Sequence, residues 1–554
     1  MARGEWAAVL AGCAAASAVA IAWSWSHGAM LNYGDAVAHM HIARRVFDSH
    51  RPGFTQLGSV WLPLPHVLMM PFVAVYSWWA NGIAGLIPSA LAYLAACAGI
   101  YRLARNWLRP PPAAIALAFF AANPNLLYLQ TTAMTEPLFL CEMIWAVVWL
   151  VDWVRNLNTH PARAQRLLGP IALVLVAAVY TRYDGWILTF IVWLGIGVTL
   201  LRHGWLHSRP ALRQPLVAGQ PVPRMARAFW LASAVVVAAP LAWFVYNATA
   251  FGDWLYFARG PYSAKAIEIR TSVPGFPPHP GWHNPWTGFL FYMKAAEMDA
   301  AANAWGGFML TVSLLGAVWS WLMARRRGIL WALLLWFPAL FYAYSVAYGS
   351  VPIFLPVWWP HSFYNTRYGM ELLPALALGM GFAAHFLLGA VREFKPAWTR
   401  SALGLLAAAV ALNVAEMARE RPLVYVEGTK NIEARRAYDE QIPPVLRALL
   451  RKRPGGIVLM VTSAYPEIVA DTGIPLRQTI NESDKEFYRA ALDAPAAHAA
   501  VVLAFDGDDV YRAVKAHPLG LTPVRRFTTP GQPPGTIYVS QVPQTQTPAG
   551  KAAR

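Results

Sequence analysis

Long apolar runs, separated by short polar or basic segments, dominate the first 418 residues of the chain. The first run covers about residues 6–26, and we interpret it as an uncleaved helix rather than a signal peptide because no strongly basic segment precedes it. A helix needs about 20 predominantly apolar residues to cross a bilayer. Residues 1–418 are therefore predicted to form an α-helical multi-pass membrane domain. The further runs lie near residues 62–80, 83–104, 112–127, 137–154, 167–180, 186–201, 229–249, 305–323, 329–348, 369–390 and 401–418.

The pattern changes after residue 418. Short apolar runs bounded by turn residues predict buried strands, and helical stretches lie between or before them. Residues 419–542 are therefore predicted to form a small α/β domain, and the polar, Pro- and Thr-rich tail at 543–554 is predicted to be disordered. The predicted strands cover 456–461, 499–504 and 537–540, and the helical stretches cover 430–451 and 484–493.

The composition supports a membrane protein. Only 13% of the residues are charged and 57% are hydrophobic, whereas a soluble protein carries about 25% charged residues. This excludes a disordered chain, a collagen-like chain and an ordinary cytosolic enzyme. The net charge of +17 is spread in short clusters between apolar runs, which fits loops that face anionic lipid better than a nucleic-acid-binding surface. We therefore expect the lipid bilayer as a partner, and no nucleic acid.

The basic clusters predict the orientation of the helices, because Lys and Arg concentrate in cytoplasmic loops. The clusters occupy alternate loops if the proline-containing run at 62–80 forms a broken or interfacial helix instead of a crossing. About eleven crossings follow, with the N-terminus in the cytoplasm and the C-terminal domain outside a bacterial inner or plasma membrane. Eleven of the 14 acidic residues before Arg419 then lie outside or at the outer helix ends, where carboxylates are often functional.

The first outer loop carries Asp35 at the predicted start of a helix. Asp is a favoured N-cap residue, so a purely structural cap is one interpretation. The alternative is a catalytic carboxylate at the boundary of water and lipid, which the positive end of the helix keeps ionised. His39 lies one turn further on, where it is expected either on a solvated face or sharing a ligand with Asp35.

Four more charged residues are expected at the same membrane face. Glu136 occupies the first turn of a predicted helix, where it is either a dipole-stabilised acid or a second functional carboxylate. Arg182 and Asp184 lie two residues apart between two apolar runs. They either pair with each other, or Asp184 holds the guanidinium so that it can meet a phosphate. Arg367 lies at the outer start of a later helix.

This set of side chains suits transfer of a sugar from a phosphate carrier. A glycosidase needs two carboxylates at a set separation. A phosphate leaves more readily when Arg, Lys or a metal meets its charge, and one carboxylate is then enough to take the acceptor's proton. The residues alone do not distinguish such a transferase from a polytopic transporter or flippase of lipid-linked sugars.

Several short motifs carry a resemblance to a known family. In their order and spacing, the chain resembles the C-type (GT-C) polyprenyl-phosphate-dependent glycosyltransferases, especially the family 39-like group with protein mannosyltransferases and lipid A aminoarabinose transferases. The resemblance runs over most of the first 418 residues. The motifs are Gly34-Asp35, Trp61-Leu62-Pro63-Leu64-Pro65-His66, Thr135-Glu136-Pro137, Thr181-Arg182-Tyr183-Asp184-Gly185, and Thr366-Arg367-Tyr368 followed by Leu373-Pro374.

The resemblance implies roles for these residues. Asp35 matches the catalytic acidic residue of the family's first loop, which is ionised and draws a proton from an acceptor hydroxyl in an inverting transfer, and Glu136 matches the acidic residue of the second loop. Arg182 and Arg367 would hold the phosphate of a polyprenyl-phosphate-linked sugar, with Asp184 orienting Arg182. The acceptor would be a protein, lipid or glycan. The supporting residues would also include His39, Tyr183 and Tyr368.

The resemblance also bears on a cofactor. Protein mannosyltransferases typically follow the first-loop Asp with another acidic residue, whereas Ala36 follows Asp35 here. A single first-loop carboxylate makes a poorer site for a divalent cation. A divalent cation at Asp35 and Glu136 is the one cofactor that the sequence suggests, and the missing second acid in the first loop counts against it.

Overall fold

Helices make up most of the described residues up to residue 451, and a small sheet follows. The computed structural model describes residues 3–206, 224–272, 275, 277–323 and 328–542. The predicted disordered tail at 543–554 lies outside these residues. So does Arg325–Arg327, one of the basic clusters that predict the orientation of the helices. The helices before the sheet are α1 (Arg3–Ser26), α2 (Gly34–Arg45), α3 (Leu64–Val73), α4 (Tyr76–Asn81), α5 (Ile83–Ala104), α6 (Pro110–Ala121), α7 (Pro124–Leu129), α8 (Glu136–Asn156), α9 (Pro161–Thr181), α10 (Asp184–Arg202), α11 (Met225–Phe251), α12 (Tyr256–Arg259), α13 (Ala264–Thr271), α14 (Pro285–Ala300), α15 (Gly306–Met323), α16 (Ile329–Ala332), α17 (Phe337–Tyr348), α18 (Leu373–Phe394), α19 (Thr399–Glu420) and α20 (Leu423–Arg451).

The predicted multi-pass helical fold is confirmed. Among the described residues, nine helices are long and apolar enough to cross a membrane. Three shorter apolar helices, at Leu64–Val73, Pro110–Ala121 and Gly306–Leu322, accompany them. The count of about eleven crossings stays a prediction.

The run at 62–80 forms two short helices instead of one long one. Helix α3 has 10 residues with Pro71 inside it, and α4 has six. Ten helical residues extend about 15 Å, half of the roughly 30 Å hydrocarbon core. Tyr76, the first residue of α4, contacts the C-terminal part of the chain, where its hydroxyl donates to the carbonyl oxygen of Ala470 at 3.1 Å. Neither helix is long enough to cross a bilayer alone.

Helix α18, which follows the Arg367 segment, is fixed by close backbone packing against α15. A Cβ atom on Gly316 would collide with the backbone of Gly379, and one on Gly379 would collide with the carbonyl of Ser313. Small residues of this kind allow two membrane helices to approach closely. The 3₁₀ helix Thr366–Leu372 continues directly into α18, so the same packing fixes the segment that carries Arg367.

The C-terminal part contains the predicted α/β domain. Its elements are β1 (Val458–Leu459), α21 (Glu467–Thr472), β2 (Thr479–Ile480), α22 (Glu486–Asp493), α23 (Pro495–His498), β3 (Val501–Phe505), α24 (Asp509–Ala516), β4 (Leu521–Phe527) and β5 (Gly535–Ser540). The five strands form one sheet in the order β2-β1-β3-β5-β4. Strand β1 pairs in parallel with β2 and β3, whereas β5 is antiparallel to β3 and β4. The three predicted strands correspond to β1, β3 and β5.

The predicted domain boundary at 418/419 falls inside a helix. Helix α19 continues to Glu420, and α20 begins at Leu423 after Arg421 and Pro422. Helix α20 then packs against α7, α21 and the 3₁₀ helix Thr366–Leu372. The chain therefore passes from its last apolar helix into the C-terminal domain through a helix that also contacts the membrane domain.

Candidate functional site

The candidate residues gather at one end of α8. Glu136 is the first residue of this helix, whereas Asp152 lies near its other end and accepts from Arg102 at 2.7 Å. Arg105 pairs there with Glu5 of α1, also at 2.7 Å. The basic cluster around Arg102 and the acids predicted to be functional thus lie at opposite ends of the same helices.

Arg367 lies at the centre of the site, and its three nitrogen groups bond to three different carboxylates. Nη2 donates to Asp35 Oδ2 at 2.9 Å, Nε to Glu136 Oε1 at 3.1 Å, and Nη1 to Glu427 Oε1 at 2.9 Å. The arginine side chain is only 7% exposed. A buried guanidinium is stable only when its charge is matched, so these acids fix both its charge and its direction.

Arg182 forms a second centre beside the first. It donates from Nη1 to Glu136 Oε1 at 3.3 Å and from Nε to Asp184 Oδ2 at 3.1 Å. Its Nη2 lies 3.2 Å from Glu371 Oε1 and donates to the Tyr342 hydroxyl at 2.8 Å. One oxygen of Glu136 therefore links the two arginines.

The Tyr368 ring lies close to both guanidinium groups. Its centroid is 5.0 Å from Arg182 Cζ and 5.2 Å from Arg367 Cζ. The negative face of an aromatic ring attracts a cation, so one ring stabilises both charges. Arg367 Cζ also lies 5.2 Å from the centroid of the Tyr33 ring.

The local sequence explains how the acids reach this place. Asp35, Glu136 and Asp184 each occupy the first turn of a helix, where the helix dipole favours a negative charge. Asp35 does not cap its helix, since Tyr33 is the N-cap residue and no side chain caps it. The N-cap interpretation of Asp35 is therefore wrong, because the carboxylate bonds to Arg367 instead. Arg182 lies in an extended break between α9 and α10.

Asp35 differs from the other acids in its exposure. Its side chain is 46% exposed, whereas those of Glu136 and Asp184 are 1% exposed. The side chains of Glu371 and Glu427 are buried as well. Of these five carboxylates, Asp35 is thus the one that a molecule from solution can contact directly.

His39 and Tyr183 contact other partners. His39 is buried, its Nδ1 is 2.8 Å from Nε2 of His66, and its ring packs against Trp61. The expectation of a solvated face for His39 is therefore wrong, because α3 covers it. Burial lowers the pKa of His39 to about 4, which keeps the imidazole neutral at neutral pH. The Tyr183 hydroxyl donates to the carbonyl of Val60 at 2.9 Å.

The sequence interpretation missed three members of the site. Glu371 lies one turn beyond Arg367, between Thr366-Arg367-Tyr368 and Leu373-Pro374, and the sequence motif gives this acid no role. Tyr342 donates to Glu371 Oε1 at 2.7 Å and is surrounded by apolar residues in the sequence. Glu427 lies in a mixed polar segment after residue 418, where no local pattern distinguishes it from the other acidic residues.

The carboxylates of the site do not form a metal-binding group. No group of three or more metal-ligating side chains occurs among the described residues. Asp35 and Glu136 both bond to Arg367, whose guanidinium supplies the positive charge between them. A divalent cation prefers six or more oxygen ligands. These residues do not fit such an ion as they stand, and the predicted metal site gains no support.

The comparisons with known proteins concern the fold. No family model and no curated protein sequence matches the chain. The chain is similar to the crystal structure of ArnT from Cupriavidus metallidurans bound to undecaprenyl phosphate, with a TM-score of 0.53 and 13% identity over 97% of this chain and 98% of that one. The apo state of the same ArnT gives a TM-score of 0.52 and 14% identity over the same shares. The chain therefore has the GT-C fold that its motifs predict.

Proposed function

We propose that the protein is an integral-membrane glycosyltransferase that moves a sugar from a polyprenyl phosphate carrier to an acceptor hydroxyl on the extracytoplasmic side. The fold supports this, since the similar ArnT structure holds undecaprenyl phosphate. The observation that carries the proposal is the half-exposed Asp35 carboxylate bonded to a buried Arg367. A base and a phosphate-binding cation are then side by side at the opening of the site.

The geometry suggests an order of events. The donor phosphate approaches from the open side and accepts the hydrogen bond that Arg367 Nη2 otherwise donates to Asp35. Asp35, now released, accepts the proton of the acceptor hydroxyl while that oxygen attacks the anomeric carbon. The bond from the anomeric carbon to the phosphate oxygen breaks, and the electron pair leaves with the polyprenyl phosphate, whose charge the arginines stabilise. Attack opposite the leaving group inverts the anomeric configuration.

Glu136 has a different role in this scheme from that of Asp35. It is buried and bonded to both arginines through one oxygen. We therefore assign it to holding Arg182 and Arg367 in place, as Asp184 and Glu371 do for Arg182. No step uses a metal ion, because the guanidinium groups provide the positive charge.

The proposal is tested by supplying the purified protein with polyprenyl-phosphate-linked sugars. Mass analysis then shows whether a lipid-linked sugar is consumed and free polyprenyl phosphate is formed. Lipid that crosses the membrane of a proteoliposome with its sugar still attached would instead indicate a transporter or flippase. A reporter-fusion map that puts Asp35 and Glu136 on opposite sides of the membrane would contradict the transferase.

Replacing Arg182 with Ala should weaken donor binding roughly 10- to 100-fold. A hydrogen bond to a charged group contributes about 1.5–3 kcal/mol, and the variant loses such bonds to the phosphate. The measurement is the donor KM together with the Kd of polyprenyl phosphate in detergent. Arg259→Ala is the matched control, since Arg259 is exposed at the end of the short helix α12. An unchanged donor KM in Arg182→Ala would remove the phosphate role from this residue.

A further inference from the structure

One face of α20 contacts both charged loops of the site. Glu427, Asn431 and Arg435 lie four residues apart in this helix, so their side chains project from the same side. Although α20 follows the last apolar helix, this face meets the start of α2 and the segment before α18. The site is thus built from membrane helices on one side and from α20 on the other.

Glu427 holds the segment that carries Arg367. Its carboxylate accepts from the Thr366 hydroxyl at 2.5 Å, the backbone N–H of Asn365 at 2.8 Å and Arg367 Nη1 at 2.9 Å. The 3₁₀ helix that begins here has no side-chain cap of its own. Because the first N–H groups of a helix lack partners within it, Glu427 satisfies them from another element while it pairs with the arginine.

Asn431 holds the segment that carries Asp35. Its Oδ1 accepts from the backbone N–H of Gly34 at 2.9 Å. Gly34 is the first residue of α2, so this N–H also has no partner within its helix. The Tyr33 hydroxyl donates to the carbonyl of Val424 at 2.7 Å. Two successive residues before Asp35 are therefore bonded to α20.

Arg435 fills the space beside Gly34. A Cβ atom on Gly34 would collide with the Arg435 guanidinium, with Nη1 closest and Cζ at 3.0 Å. An ion pair holds Arg435 in this position, since its Nη2 lies 2.8 Å from Glu467 Oε1 in α21. A side chain at position 34 would therefore have to displace the paired guanidinium or shift the start of α2.

We propose that α20 is a positioning helix for the transfer reaction, in which Glu427 orients Arg367 while Asn431 and Arg435 fix the start of α2 and with it Asp35. This rests on the proposed function, in which Asp35 is the base. The three residues of α20 act through Asp35 and Arg367 and are positioning residues.

The first test separates Asp35 placement from donor binding. Asn431→Ala should lower kcat about 10-fold with an unchanged donor KM, because the lost bond holds the segment of the base. Asn431→Asp keeps an oxygen that accepts from Gly34 and should retain most of kcat. Lys430→Ala, one position away on an exposed part of α20, is the control. A wild-type kcat in Asn431→Ala, or equal losses in Ala and Asp, would overturn the proposal.

The second test uses the contact between Gly34 and Arg435. Gly34→Ala alone should lower kcat at least 10-fold, because the new methyl group displaces the guanidinium or the helix start. The same substitution in an Arg435→Ala background should cost less than about 3-fold, because the space is then free. An equal fold-loss in both backgrounds would contradict the proposed contact.

A third comparison isolates Glu427. Glu427→Gln should lower kcat and raise the donor KM, because Arg367 contacts both the donor and Asp35, whereas Glu433→Gln on the exposed part of α20 should change neither. If Asp35→Asn is inactive and the variants of α20 behave like wild type, the positioning proposal fails alone. If Asp35→Asn retains turnover, the proposed function of Asp35 fails first.

Discussion

Asp35→Asn should lower turnover by about 10²- to 10⁴-fold while the protein still folds. The amide is neutral and cannot take the acceptor's proton, and loss of a general base has an effect of this size. The amide oxygen can still accept from Arg367 Nη2, and the side chain is nearly half exposed. We therefore expect the thermal midpoint in detergent to stay close to that of the wild type.

The measurement is sugar transfer from a polyprenyl-phosphate-linked donor by the purified variant. Asp493→Asn is the matched control, since it makes the same change at an exposed position in α22 of the C-terminal domain and should keep full activity. Donor binding should survive in Asp35→Asn, because Arg182 and Arg367 are unchanged. Turnover within 3-fold of wild type would show that Asp35 is not the base.

Arg367→Ala should abolish transfer and also lower the free energy of unfolding by about 3–5 kcal/mol, the usual cost of removing one partner of a buried ion pair. Without the guanidinium, the buried Glu427 loses the cation that it bonds, and Glu136 keeps only its ion pair with Arg182. Arg367→Lys keeps the charge but cannot bond three carboxylates at once. We expect it to unfold at an intermediate temperature and to remain inactive.

Thermal unfolding in detergent, followed in parallel with turnover, checks this expectation. Adding Glu427→Gln to Arg367→Ala should recover part of the lost stability, because one unmatched carboxylate is removed. Arg155→Ala, at the exposed far end of α8, controls for the loss of a helix-end arginine and should change neither quantity much. An Arg367→Ala variant as stable as wild type would show that the carboxylates are protonated or otherwise matched without the arginine.

The sequence was informative where the signal is local. Apolar runs of sufficient length predict membrane helices, and Asp35, Glu136 and Asp184 stand out because each lies in the first turn of a predicted helix. The structure brings these three acids together with Arg182 and Arg367. The strands β1, β3 and β5 are visible for the same reason, since each lies in an apolar run. Polar residues flank β2, and β4 is largely exposed, so neither lies in such a run.

The rest depends on contacts between distant parts of the chain. His39 is a polar residue in an amphipathic helix, and it is buried by contacts with His66 and Trp61 on a later segment. Glu427 reaches Arg367 across 60 positions, from a stretch whose charge balance is that of an ordinary soluble domain. No local sequence pattern marks either residue, because the residues that each one contacts are distant in sequence.

The short connection between α19 and α20 has a consequence for how such a protein can evolve. Only Arg421 and Pro422 separate the last apolar helix from the helix that carries Glu427 and Asn431. A C-terminal domain joined in this way is not an interchangeable module, since a chimera that replaced it would also replace residues that contact Asp35's loop. Substitutions in α20 and in the first loop are therefore expected to covary among related proteins.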